Sequence, residues 1–272
     1  MSGLSHIEET FKALATGRRA AFMPFLAAGD PDLKTTAELI VAMEKSGADL
    51  VELGVPYSDP LADGPVIQDS FTRALAGGIR VSDVIGSVRQ ARKMGATIPV
   101  VTMVSYSVVF RHGCKRYVDE VAEAGGDGLI VPDLAVEESE TLRGLCREAG
   151  LALVFLVAPT TPAERQKRIM ENASGFIYCV SVVGITGERD SLPETLAGHV
   201  RELRSQTKLP VCVGFGVSRA DQAERVAAIA DGVIVGSALV RCISQAEGKG
   251  VAGAASKLAG SLAKAVHGAT RS

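Results

Sequence analysis

The sequence predicts an α/β protein of the (β/α)8 TIM-barrel class, with an extra N-terminal helix and a short phosphate-binding helix after the eighth strand. Eight short apolar, β-branched runs alternate with stretches of helical periodicity, spaced roughly thirty residues apart as in a chain of β-loop-α units. The length of 272 residues is about what one such barrel fills. No shift of composition, Ser/Pro linker or long charge run divides the chain, so residues 1–272 are expected to form one barrel domain. A doubly wound open sheet is the competing arrangement.

Residues 1 to 17 are polar with a helical pattern, Ser5 serving as a candidate cap with Glu8 three residues later. The first strand spans 20 to 26, and the turn Ala28-Gly29-Asp30-Pro31 opens a helix over 32 to 45. Residues 49 to 55 are apolar on both faces, as a buried parallel strand should be, yet carry Glu52 in their interior. Pro56, Pro60, Gly64 and Pro65 then exclude regular structure, before a short helix at 66 to 76 and an amphipathic one at 82 to 94 capped by Ser82. Further strands are expected at 99–104, 128–132, 151–157, 175–181, 210–216 and 231–236. The helices between them fall near 115–123, 136–148, from 162, and at 193–206, with a Gly-rich stretch at 183–189. A helix starts at Ser237 directly after the eighth strand, and another over 251 to 266 leaves 269–272 as a frayed tail.

Composition excludes several functions. Lys+Arg 29 against Asp+Glu 31, with no basic block, gives no nucleic-acid partner, and no run of eighteen apolar residues gives no membrane span. The N-terminus has no secretory apolar core, and Cys114, Cys146, Cys179, Cys212 and Cys242 form no CxxC, which together point to a cytoplasmic protein with reduced thiols. His6, His112, His199 and His267 lack ligand spacing, so no metal is expected, and no GxGxxG follows the first strand.

The chemistry is expected in the stretch from Glu52 to Gly64, which carries Glu52, Asp59 and Asp63 at and beyond a strand end. A buried carboxylate with no reason to be there costs several kcal/mol. The plain alternative is that Glu52 is a paired structural acid and Asp63 the cap of the helix starting near Pro65. A barrel gathers the loops after its strands on one face, which would bring Glu52, Asp63, Tyr178, Thr186, Phe215 and Gly236 around one mouth. Gly214-Phe215-Gly216 after strand seven and Gly236-Ser237 after strand eight read as an anion site, or else as a turn glycine and an N-cap. Phe25, Met103, Ile130, Tyr178 and Phe215 would give an apolar slot, although inward residues of any barrel are mostly core. An acid pair, a slot and a phosphate anchor suit general acid-base cleavage or isomerisation of a phosphorylated substrate.

The segment Glu52-Leu53-Gly54-Val55-Pro56-Tyr57-Ser58-Asp59-Pro60-Leu61-Ala62-Asp63-Gly64-Pro65 resembles the signature of the tryptophan synthase α-subunit family. Gly29-Asp30-Pro31, Gln68, Arg73-Ala74-Leu75, Pro132-Asp133-Leu134, Gly184-Ile185-Thr186-Gly187, Gly214-Phe215-Gly216 and Gly236-Ser237 follow in the family's order, so the likeness runs from about 22 to 240. It implies retro-aldol cleavage of indole-3-glycerol phosphate to indole and glyceraldehyde 3-phosphate, without a cofactor. Glu52 would be acid and base at indole C3 and the side-chain hydroxyl, its pKa raised by desolvation, while Asp63, on a mobile loop, would stay ionised and hold the ring N–H. Thr186 would hold the aspartate when its loop closes, with Gly184 and Gly187 as hinges. Gly187, Gly216, Gly236 and Ser237 would bind phosphate through main-chain N–H groups, and Phe25, Met103, Ile130, Tyr178 and Phe215 would form the indole slot.

The resemblance further implies an α2β2 assembly with a pyridoxal-phosphate β subunit, met by Pro56, Asp59, Pro60, Ser107, Phe110 and Ala135. Asp59 is accordingly structural or interfacial. Three positions depart from the family: Val182 where many members have Arg, Ser107 in place of a common Asn, and Ala135 in place of a Pro. These bear on coupling to the partner and on lid ordering. The alternatives are a lyase working alone, a non-catalytic binder that tunes the β subunit, and a phosphosugar isomerase on the same barrel, which would leave the acidic loop unexplained.

Overall fold

The computed structural model describes residues 1–60, 63–180, 195–214, 216–246 and 250–270. Eight parallel strands close on one another in sequence order, which settles the architecture as a barrel and discards the open sheet. They are β1 (Ala21–Ala27), β2 (Val51–Gly54), β3 (Val100–Met103), β4 (Gly128–Ile130), β5 (Ala152–Val157), β6 (Ile177–Val180), β7 (Val211–Gly214) and β8 (Gly232–Val235). The ring is sealed where β1 pairs with β8, Phe22 facing Val233.

Because side chains alternate along a strand, each strand serves two apolar layers. Phe22 and Leu26 of β1, Val51 and Leu53 of β2 and Val211 and Val213 of β7 point outward and pack in the shell between barrel and helices. Ala21, Met23, Leu50, Val101, Ile130, Val154, Phe176, Cys212 and Ile234 fill the interior. That explains the continuous apolar runs of the sequence, which are apolar on both faces because both are covered.

The first helix, α1 (Gly3–Thr16), closes the floor. Its Ile7, Phe11 and Leu14 belong to the same cluster as the inward residues, and the Phe11 ring lies 5.9 Å from that of Phe176. Polar clamps at this end hold both terminal helices. His6 Nδ1 lies 2.7 Å from Asp127 Oδ1, and Asp127 Oδ2 accepts from Arg92 Nη2 at 2.8 Å and from Val100 N at 2.7 Å. At the other terminus, His267 Nε2 lies 2.7 Å from Asp49 Oδ2, which also accepts from Phe22 N at 2.8 Å.

The remaining helices are α2 (Leu33–Lys45), α3 (Pro65–Ala76), α4 (Val81–Lys93), α5 (Tyr106–His112), α6 (Cys114–Glu123), α7 (Glu140–Ala149), α8 (Ala163–Asn172), α9 (Leu196–Gln206), α10 (Ala220–Ala227), α11 (Ser237–Gln245) and α12 (Val251–Gly268). Several differ from the sequence expectation. The cap of α1 is Ser2, whose side chain accepts from Ser5 N, so Ser5 lies inside the first turn. Helix α4 begins at Val81, ahead of the expected cap Ser82, because the Asp83 carboxylate reaches back to the N–H of Arg80 at 2.9 Å. Helix α5 was not expected; Ser105 starts it by accepting from Ser107 N. The helix expected over 136–148 is split into a 3-10 turn at Val136–Glu138 and α7, Ser139 lying between them. Ala269, expected in a frayed tail, is buried with its N–H on the Val266 carbonyl.

The floor plug gives a stability prediction. Phe11→Ala empties a buried aromatic site far from the mouth and should cost about 3–5 kcal/mol of unfolding free energy, read from urea denaturation, with cleavage activity at low temperature unchanged.

Candidate active site

Glu52 is set by strand parity. In β2 it occupies an inward position, level with Phe25 of β1 and Val101 of β3, so its carboxyl enters the barrel instead of the helix layer. It is 1% exposed, and its Oε2 has no hydrogen-bond partner. A paired structural acid would be hydrogen-bonded, so that alternative falls. Burial, reinforced by the charge of Asp63, pushes the Glu52 carboxyl up to about 8. The group therefore carries its proton at neutral pH. The sign for stability follows: the folded chain holds that proton over a range where the unfolded chain has released it, so stability is lost as pH rises from the unfolded value of 4.5 through about 8.

Asp63 also departs from its simple alternative. Helix α3 begins with Pro65 at its first position and Gly64 as N-cap, without a side-chain cap bond, so Asp63 does not cap it. Expected on a mobile loop, the residue is instead only 7% exposed, and burial raises its carboxyl to about 6. Near pH 7 Asp63 is an anion and Glu52 a neutral acid. The two carboxyls are poised on opposite sides of neutrality, as general acid-base work requires.

The slot residues differ in burial. Ile130 is fully buried in the interior cluster, whereas its register partner Met103 and Tyr178 are only partly buried against that cluster. Phe25 joins Ala27, Ile67, Phe71 and Val240 in a second cluster that Met103 and Tyr57 also touch. Tyr57, Ile67 and Phe71 were not anticipated, because they come from the inserted segment and not from a strand. Two glycines make room for the rings: a Cβ on Gly54 would collide with Phe25, and one on Gly214 with the Tyr178 hydroxyl. An isolated glycine at an inward strand position is the signal that could have found both. Burial and the nearby Glu52 and Asp63 raise the Tyr178 hydroxyl well above its ordinary value, so it stays neutral.

Just after β7, Gly216 adopts φ 66°, a conformation that favours glycine. Ser237 is the first residue of α11, buried, with Gly236 as N-cap and no side-chain cap bond, so it is not the N-cap of the simpler reading. The Gly236 carbonyl accepts from Leu239 and Val240, which leaves the amides of Ser237 and Ala238 at the open end of the helix, where an anion is favoured. Thr186, Gly184, Gly187, Val182 and Phe215 lie outside the described residues.

The expected partner-facing residues are also separated by burial. Asp59 is exposed and accepts from Ser58 Oγ at 2.6 Å, Ser107 is exposed on α5, and Phe110 on the same helix is 68% exposed. Pro60 and Ala135 are partly covered, while Pro56 is buried and offers no surface. Asp133 ties the loop after β4 to α5 by accepting from Ser105 Oγ at 2.7 Å and Tyr106 N at 2.8 Å.

Comparison with known proteins agrees with this geometry. The family profile for the tryptophan synthase alpha chain matches residues 11–267. The tryptophan synthase alpha chain of Rhodopirellula baltica is 50% identical over 89% of this chain and 88% of its own length. That of Geotalea daltonii is 46% identical over 90% and 93%. Among solved structures, a tryptophan synthase of Mycobacterium tuberculosis superposes with a TM-score of 0.88 at 36% identity, covering 96% of this chain and 98% of that one. The alpha chain of Legionella pneumophila gives 0.87 at 36% identity over 98% and 97%. With an acid pair, an apolar slot and a helix N-terminus in one barrel mouth, the chain belongs to the tryptophan synthase alpha chain family, the lyases that cleave indole-3-glycerol phosphate in tryptophan biosynthesis.

Proposed function

We propose that Glu52 and Asp63 carry out the retro-aldol cleavage, and that the whole chain, residues 1–272, works as one barrel domain. The observation that carries the assignment is a buried Glu52, its Oε2 without a hydrogen-bond partner, holding a proton at neutral pH beside an ionised Asp63. Protonated Glu52 donates to indole C3, leaving the ring cationic. Asp63 accepts the ring N–H and stabilises that charge in a site that excludes water. The Glu52 carboxylate then takes the proton of the side-chain hydroxyl next to C3 as the carbon-carbon bond breaks. Indole leaves with the bonding electrons and its new C3 proton, the hydroxyl-bearing fragment becomes the aldehyde of glyceraldehyde 3-phosphate, and Glu52 is again protonated.

Phe25, Met103, Ile130 and Tyr178 supply the indole slot, and Gly216, Gly236 and Ser237 the phosphate end. Thr186, Gly184, Gly187 and Phe215 are assigned to the lid, the phosphate and the slot on the family resemblance. The partner is a tryptophan synthase β subunit in an α2β2 complex, received by Asp59, Pro60, Ser107, Phe110 and Ala135. An exposed phenylalanine on a short helix, tied to a neighbouring loop by Asp133, supports this face. We assign the protein to the cytoplasm: all five cysteines are free, and no helix of the described residues is long and apolar enough to cross a membrane.

Glu52→Gln and Asp63→Asn should each abolish indole release from indole-3-glycerol phosphate while retaining phosphate binding; turnover near the parental rate in either variant removes that residue from the mechanism. The parental kcat/KM should fall as pH drops through about 6, where Asp63 gains a proton, and again as pH rises through about 8, where Glu52 loses one. A flat profile over that range contradicts the pairing. Ser237→Asp places an anion where the phosphate docks and should raise KM by at least about tenfold with a smaller change in kcat, measured by initial rates. Phe110→Asp should abolish co-purification with a β subunit without lowering the thermal midpoint of the isolated chain.

A further inference from the structure

We propose that Gln68 is a positioning residue for the reaction, holding the main chain of Asp63 so that its carboxylate meets the ring N–H. The inference rests on the assignment of Asp63 above. Residues 56–60 and 63–64 of this segment carry two prolines and belong to no strand or helix, and backbone bonds near Asp63 are local: Asp63 N donates to Pro60 O at 3.0 Å, and Gly64 O accepts from Ile67 N and Gln68 N, each at 3.0 Å. Gln68 supplies what the ladder does not. From the beginning of α3 its Nε2 reaches back to the Asp63 carbonyl at 2.7 Å and the Pro60 carbonyl at 3.2 Å, so one carboxamide spends both donors on the acid-bearing loop.

A clamp is only as rigid as its base, and α3 is firmly seated. Ile67, Phe71 and Ala74 are buried, with Ile67 and Phe71 in the cluster that contains Phe25. Five residues beyond Gln68, Arg73 makes a two-pronged bond to Asp30, Nε to Oδ1 at 3.0 Å and Nη2 to Oδ2 at 2.7 Å, and Asp30 is itself 4% exposed. Helix α3 is thereby fixed to the β1 side of the mouth, and Gln68 transmits that position to Asp63.

The residue type also fits. Two carbonyl oxygens require donors, which a carboxylate cannot give, and a lysine or arginine in this place would put a cation beside Asp63 and lower its pKa. A neutral double donor holds the loop and leaves the Asp63 titration to burial.

The test uses the full chain with indole-3-glycerol phosphate. Gln68→Met keeps the length and removes the donors; Gln68→Glu keeps the shape and replaces donors with charge. Each should lower kcat by about 10- to 100-fold, the scale of an ångström-sized misplacement, with KM within about twofold and circular dichroism unchanged. Gln68→Glu should also move the acidic limb of the pH profile upward, since a second anion raises the Asp63 pKa, whereas Gln68→Met should leave that limb in place. Asp63→Asn is measured alongside, and the double variant Asp63→Asn/Gln68→Met should be no slower than Asp63→Asn alone. Parental kcat in Gln68→Met, with Asp63→Asn inactive, overturns the positioning role and leaves Asp63 standing. Parental kcat in Asp63→Asn overturns the assignment beneath it. Unfolding of both Gln68 variants, or a lowered melting point with kcat retained, overturns the proposal in favour of a purely structural bond.

Discussion

The site depends on holding a carboxyl group in the barrel interior with one oxygen, Oε2, without a hydrogen-bond partner. Glu52 loses its hydration at that depth and gains no hydrogen bond at Oε2, so the chain accepts a destabilising acid at its centre. The same desolvation keeps the proton on the group at neutral pH. On the role proposed for Glu52, instability and reactivity have one origin, and the remaining structure offsets the first to keep the second.

The offset comes from the opposite end of the molecule. Beneath Glu52 the barrel is filled and plugged by Ile7, Phe11 and Leu14 of α1, and the Asp127 and Asp49 clamps fasten α1 and α12 to the strand starts. The mouth is assembled separately from two segments inserted after strands. Helices α3 and α11 both contribute to the cluster around Phe25, through Ile67 and Phe71 on one side and Val240 on the other. Floor residues thus govern folding, while mouth residues can be specialised for charge, in keeping with the division of labour between the two ends of such barrels.

Much of the site was legible in the sequence because its signals are local. An acid inside a strand that is apolar on both faces, a proline-broken acidic loop and glycines just beyond strands seven and eight all report requirements of a few consecutive residues. The rule that a barrel gathers its strand ends on one face then grouped Glu52 and Tyr178 at one mouth, with Phe25 in the same slot as Tyr178. Helix α5 escaped because seven residues carry too little periodicity, and the expected caps were displaced because Ser2, three residues ahead of Ser5, accepts from Ser5 N, and the Asp83 carboxylate closes the first turn of α4 on Arg80 N. Gln68 was visible only as part of a motif, since its two acceptors are carbonyl groups whose direction no residue type encodes.

By itself, the sequence determined the eight-fold alternation and the acid-bearing loop, which follow from periodicity and short-range chemistry, and its motifs carried the family resemblance; closure of the strands into a barrel, favoured over an open sheet, was settled by the structure. Only the tertiary structure decided the state of the two acids. Whether Glu52 has a partner, and whether Asp63 is solvated, depends on what strands and helices distant in sequence place around each group. Asp63 had been expected ionised on a mobile loop; buried beside Glu52, it stays an anion only above about pH 6. Desolvation is a property of the closed barrel and of the helices packed over its mouth, so the poise of the pair is set only after folding has removed the water.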